Sequence, residues 1–250
     1  MDFTITKPPV NYPMGLTGKL PKNFNPIMIP NPQDGFILLL TGFRGSGKSA
    51  LLYHILKRFY KGCYDMVYIF NPSYGNDPTL SPESLELPDE CFHTKIDVDL
   101  IQGVINKQME EKQQFDNGTL RKKHLSRVLM VFDDCITDPE FSSNKNQNIM
   151  NFLSFRGRHA RVTTILTTQV YNAVSARMRK NIPNHMIFGT QNKKERKAII
   201  EELSGTMDEN DFEALFNEAT EEQYNFFFIY GTCPDKSMKY RKNIDEVLKI

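Results

Sequence analysis

The 250-residue sequence predicts an α/β fold in three layers, with a central, mostly parallel sheet covered by helices on both sides. Three observations carry this. Short apolar runs such as Val128–Phe132 and Val162–Thr168 read as strands buried on both faces. Helical patterns fall between these runs, so strand and helix alternate along the chain. The stretch Phe36–Arg58 joins an apolar strand to an amphipathic helix through a glycine-rich loop of eight residues.

Taken in order, residues 1–34 hold seven of the 14 prolines: Pro8, Pro9, Pro13, Pro21, Pro26, Pro30 and Pro32. Proline at this density prevents a long helix or a central strand. The segment reads as an irregular arm, packed over the core or reaching a neighbouring subunit, ahead of one domain over 35–250. The first strand, Phe36–Leu40, runs into Gly42-Phe43-Arg44-Gly45-Ser46-Gly47-Lys48-Ser49. A helix follows, with Leu51, Leu52, Ile55, Leu56 and Phe59 on one face. Asp65–Asn71 is a second strand, and 76–96 reads as loop. Asp97–Gln114 is a helix with Val98, Ile101, Val104, Ile105 and Met109 spaced for burial. After the strand Val128–Phe132 come a helix over Asn144–Phe155, the strand Val162–Thr168, a short basic helix over Asn172–Asn181 and a strand over His185–Gly189. Helices over 193–204 and 208–219, a late strand Asn225–Tyr230 and a short final helix complete the chain.

The loop carries the pattern G-x-x-x-x-G-K-S in the strand–loop–helix setting that a phosphate cradle requires. Glycine lets the backbone approach the phosphates, and the backbone N–H groups of residues 42–49 with the helix N-terminus make an anion nest. Lys48 then reaches the β- and γ-phosphates of ATP, and the Ser49 hydroxyl binds Mg²⁺. Asp133, directly after an apolar strand, holds Mg²⁺ through water, and Asp134 is placed to polarise an attacking water. Gln169, at the tip of a separate buried strand, lies beside the γ-phosphate and orients the water or senses hydrolysis. Arginines cluster as Arg156, Arg158 and Arg161 before that strand and as Arg177 and Arg179 after it. A guanidinium stabilises charge on a transferring phosphoryl group. Arg44, inside the loop itself, is a candidate in cis.

Net charge is only +1, from 31 basic and 30 acidic residues, so no global field draws nucleic acid and any contact must be local. The basic run Arg121–His124 reads as a solvated turn. Cys63, Cys91, Cys135 and Cys233 are too far apart for a zinc motif and read as free thiols. No apolar run approaches 18 residues and the N-terminus is not signal-like, which predicts a soluble intracellular chain with no membrane span. Asn192-Lys193-Lys194-Glu195 mimics a guanine-reading N-K-x-D, but Glu replaces Asp and the glycine of D-x-x-G is missing after Asp133. A small-molecule or nucleoside kinase, with 155–161 as an arginine lid, is the alternative reading.

The combination GFRGSGKS, VLMVFDD, FRGRHAR, ILTTQ and RMRKN resembles the genome-packaging ATPases of nucleocytoplasmic large DNA viruses and virophages, in the FtsK–HerA group. The resemblance covers roughly residues 34–190 in motif order. It implies an additional-strand P-loop ATPase that drives double-stranded DNA into a preformed capsid. It further implies a homo-oligomeric ring, a capsid or portal-vertex partner, and action in the host-cell cytoplasm, viral factory or virion. Within it, Lys48 and Ser49 are phosphate and Mg²⁺ ligands, Asp133 and Asp134 the paired acids, Gln169 the sensor and Arg179 a trans finger. No motif accounts for 191–250.

Overall fold

A computed structural model describes residues 24–33, 35–121, 125–142 and 148–249. Nine strands form one sheet: β1 (Ile37–Thr41), β2 (Met66–Phe70), β3 (Phe92–His93), β4 (Val128–Phe132), β5 (Val162–Thr168), β6 (Asn184–Phe188), β7 (Phe226–Tyr230), β8 (Tyr240–Lys242) and β9 (Glu246–Val247). Their order is β3-β2-β4-β5-β1-β6-β7-β8-β9. Pairing is parallel from β3 to β6 and antiparallel from β6 to β9. The central strands β1, β4 and β5 are buried along their whole length, as their unbroken apolar or β-branched runs require.

Two helical layers cover the sheet. One is α1 (Lys48–His54) and the turn that continues it, whose Leu51, Leu52, Ile55, Leu56 and Phe59 are all buried against Leu38, Leu40, Ile165 and Phe228. That continuation, Ile55–Phe59, is a π-helical turn rather than more α-helix, closed by Tyr60 N–H to the Ile55 carbonyl. The other layer holds α3 (Val98–Asp116), α5 (Ile149–Arg156), α6 (Ala176–Arg179), α7 (Lys193–Leu203) and α8 (Glu209–Thr220), over Leu39, Met130, Leu166 and Phe227. Short helices α2 (Pro82–Leu85) and α4 (Pro139–Ser142) fill loops.

Several expectations are corrected. Residues 76–96 contain α2 and the parallel edge strand β3. In α3, Ile101, Val104 and Ile105 are buried, but Val98 and Met109 face solvent and Gln108 takes the inward position. The basic helix over Asn172–Asn181 is a 3₁₀ turn at Tyr171–Ala173 and the short α6, separated by extended Val174. The final helix does not form: β8 and β9 extend the sheet antiparallel to β7. The helix expected from Asn144 begins at Ile149, capped by the Asn148 side chain, and 143–147 lie outside the described residues.

Most of the proline-rich arm also lies outside the described residues. Residues 24–33 form no helix or strand, but Met28 and Ile29 are buried in the core. Tyr60 and Tyr230 donate their hydroxyls to the Pro30 and Pro26 carbonyls, at 2.8 and 2.6 Å. Arg241, wholly buried on β8, donates to the carbonyls of Ile27, Met28, Met238 and Ile244 and lies against the Phe228 and Tyr230 rings.

Candidate nucleotide site

The predicted residues converge at the carboxyl ends of the parallel strands, where β1, β4 and β5 lie side by side. The loop leaves Thr41, and Gly42 N–H donates to the Thr168 carbonyl at 3.1 Å. Gly42 has no room for a side chain: a Cβ there would stand 2.5 Å from Ser46 Oγ and 2.8 Å from the Phe188 ring. Gly47 sits at φ 103°, in the left-handed region that glycine alone enters without strain, and starts α1. The Lys48 ammonium folds back onto the loop, donating to the Gly42 and Phe43 carbonyls at 2.5 and 3.1 Å. Burial holds its pKa below the ordinary lysine value, against the opposite pull of Asp134 and Asp133.

Across the cavity, Asp133 is buried at the end of β4 and held from two sides. Thr167 Oγ1 donates to one oxygen at 2.7 Å and Asn71 Nδ2 to the other at 3.1 Å. Burial raises its pKa above the usual carboxylate range despite the Thr167 bond, and Asp134 and Asp77 add to the rise. Asp134 takes a left-handed backbone, φ 51°, which an aspartate tolerates better than most residues. Its N–H donates to Thr167 Oγ1 at 3.0 Å, and Gln169 Nε2 donates to its carboxylate at 2.6 Å. A cavity of about 330 Å³ opens between these groups, lined by Lys48, Ser49, Asn71, Asp77, Asp133, Asp134, Gln169 and exposed Arg44.

Lys48, Ser49, Asp133, Asp134, Gln169 and Arg44 are therefore together. Arg179 is not. It is buried in α6, bound through two nitrogens to Glu202 of α7 at 2.8 and 2.5 Å, bonded to the Val174 carbonyl and stacked on the Tyr171 ring. Its guanidinium is an internal strut, so the reading of Arg179 as an exposed finger gives way to a packing role. Arg156 and Arg158 are exposed, ahead of the amino end of β5. The Asn192–Glu195 segment caps α7: the Asn192 side chain accepts from Lys194 and Glu195 N–H. Glu195 is buried, its carboxylate accepting from Thr190 and the Tyr171 N–H, which leaves it no base-reading role.

Asn71, Ser73, Asp77 and Thr167 line the cavity with polar side chains and were not singled out by sequence. Asn71 and Thr167 had a usable signal, since each is a polar side chain at the carboxyl end of a buried strand. Asp77 had none, being brought in by the loop after β2. The oxygen donors Ser49 and Asp133 suit a hard cation such as Mg²⁺. Among the described residues no three His, Cys, Asp or Glu side chains cluster as a self-contained metal cage, and Mg²⁺ needs only one or two carboxylates beside substrate phosphates. No helix among the described residues is long and apolar enough to cross a membrane.

The family model described as Poxvirus A32 protein matches residues 31–240. No curated protein sequence matches the chain. Among solved structures, the genome packaging NTPase B204 from Sulfolobus turreted icosahedral virus 2, in complex with AMP, superposes with a TM-score of 0.52 at 17% identity, covering 81% of this chain and 94% of that one. The pCW3 conjugation coupling protein TcpA superposes with a TM-score of 0.55 at 16% identity, over 78% of this chain and 57% of that one. ATPases 2 and 3 of EssC from Geobacillus thermodenitrificans give 0.56 at 14% identity, over 89% and 40%. At these identities the likeness is one of fold.

Proposed function

The chain belongs to the Poxvirus A32 protein family, and from that premise we propose that it is an ATP-driven motor that moves viral double-stranded DNA into a preformed capsid. The observation that carries the reading is the convergence of Lys48, Ser49, Asp133, Asp134 and Gln169 on one cavity at the carboxyl ends of β1, β4 and β5. Phosphates entering the loop would take the place of the Gly42 and Phe43 carbonyls on the Lys48 ammonium. Ser49 and Asp133 would hold Mg²⁺, which neutralises phosphate charge when bound. Asp134 accepts a proton from the attacking water, and Gln169, already bonded to Asp134, orients both. Thr167 fixes the pair, donating to Asp133 and accepting from the Asp134 N–H.

The chain works as a homo-oligomeric ring on duplex DNA, docked to a capsid or portal-vertex protein in the cytoplasm, viral factory or virion. Arg44, at the cavity rim, serves the site in cis. With Arg179 buried, the trans guanidinium falls to exposed Arg156 or Arg158. Exposed Arg177 and Lys180 are basic groups suited to DNA phosphates, while 122–124 of the other basic run lie outside the described residues. Phosphate contacts release counterions and carry no sequence information. The test is ATPase rate against duplex concentration at several salt levels, with sedimentation in parallel. DNA stimulation that ignores sequence, weakens with salt and needs oligomers is expected. A monomer hydrolysing at full rate, indifferent to DNA and salt, would overturn the motor and favour a kinase.

A further inference from the structure

A second cavity, of about 840 Å³, opens on the other side of the phosphate loop. Its walls are Phe43 and Gly45 of the loop, Phe188 at the end of β6 and Gln191 after it, and the turn between α8 and β7, which carries Gln223 and Tyr224. Two of its aromatic rings are solvent-exposed, Phe43 at 58% and Tyr224 at 60%. Tyr224 holds φ 70°, a left-handed backbone that a bulky aromatic residue enters only with strain. That backbone brings its ring to the phosphate loop: a Cβ on Gly47 would stand 3.3 Å from Tyr224 Cδ1. Glu218, Glu221 and Glu222 also line this cavity with Arg196, which is paired to Glu213, whereas the phosphate side holds Lys48 and Arg44 beside Asp77, Asp133 and Asp134. Lys48 and the start of α1, which draw an anion, lie on the phosphate side, so this space suits the uncharged end of a ligand whose anionic end lies in the loop.

We propose that this cavity takes the nucleobase and ribose of the bound nucleotide, with the base stacked on the exposed face of Tyr224. The inference rests on the nucleotide reading above and adds to it the residue that sets nucleoside affinity. Stacking needs only a flat ring, so phenylalanine should serve where glycine does not. Glycine also suits the left-handed backbone at 224, so Tyr224→Gly removes the ring without adding strain.

Calorimetric titration of the full chain compares ATP with inorganic tripolyphosphate, which can engage only the loop. Tyr224→Gly is expected to weaken ATP about tenfold or more and leave tripolyphosphate unchanged, while Tyr224→Phe stays within about twofold of wild type for both. Unchanged ATP affinity in Tyr224→Gly overturns the proposal. So does equal weakening of ATP and tripolyphosphate, which would make the ring a support for the loop. Wild-type chain that binds neither ligand overturns the nucleotide reading itself, and this inference with it.

Discussion

Buried charge is treated in two ways on the two sides of the sheet. At the carboxyl ends of β1 and β4, Lys48 and Asp133 are both pushed by burial toward their neutral forms. Beside them Ser46 Oγ is buried without a hydrogen-bond partner among the described residues. On the antiparallel side, Arg241 is buried more deeply, yet carbonyls from the arm and the tail surround it and the Phe228 and Tyr230 rings lie against it. The first arrangement withholds stabilisation until a ligand supplies it. The second stabilises the chain as it stands. Activity and stability should therefore fail separately when each region is altered.

The largest effect is expected from Lys48→Ala, with ATP turnover falling on the order of 10³-fold and melting temperature unchanged or raised. A steady-state assay with a thermal melt reads both, and a collapse in melting temperature would erase the distinction. Arg241→Met should do the reverse. Leaving those carbonyls without a donor costs about 3–5 kcal/mol, or on the order of 10 °C in melting temperature, while turnover per folded molecule is kept.

His185, on β6 where the two sides meet, gives a pH test. It is fully buried with Nε2 2.7 Å from the Ile182 carbonyl, and burial depresses its pKa to about 4. The unfolded chain takes up that proton near the ordinary value of about 6.5. The folded-state pKa is the lower one, so this contribution is intact above that value and is lost as pH falls toward 4, at up to ~1.4 kcal/mol per pH unit. Denaturant titration across that window should show a shallower acid-side loss in His185→Gln. An identical slope would place the acid sensitivity elsewhere. The smallest effect on stability is expected from Asp133→Asn, which removes a charge that burial disfavours. The nucleotide-free chain in EDTA should gain about 1 kcal/mol while Mg²⁺-dependent turnover disappears; a loss of stability instead would mean that Thr167 and Asn71 fully offset the burial.

Sequence reading reached what local pattern encodes. β4 and β5 match to the residue, because unbroken apolar or β-branched runs with polar ends have few alternatives. The phosphate loop and the acids after β4 follow from position at strand ends. Partners distant in sequence were invisible. Arg179 looks like any other arginine until Glu202 is found beside it. Asp77 reaches the cavity only because a loop turns back. The tail was misread because β8 and β9 are two or three residues long and lack alternation; the β7 ladder makes them strands. The π-turn in the first helix leaves no mark in its pattern, since the same five apolar residues are buried either way.

β5 is also a mechanical part. Its seven residues span about 23 Å at ~3.3 Å each. They are buried throughout and laddered on both sides, to β4 and β1. Such a strand can neither stretch nor bend without breaking both ladders, so it behaves as a pushrod. One end emerges beside Arg158 and His159; the other carries Gln169, whose amide grips Asp134. A fraction of an ångström at that amide is enough to make or break its hydrogen bond to Asp134.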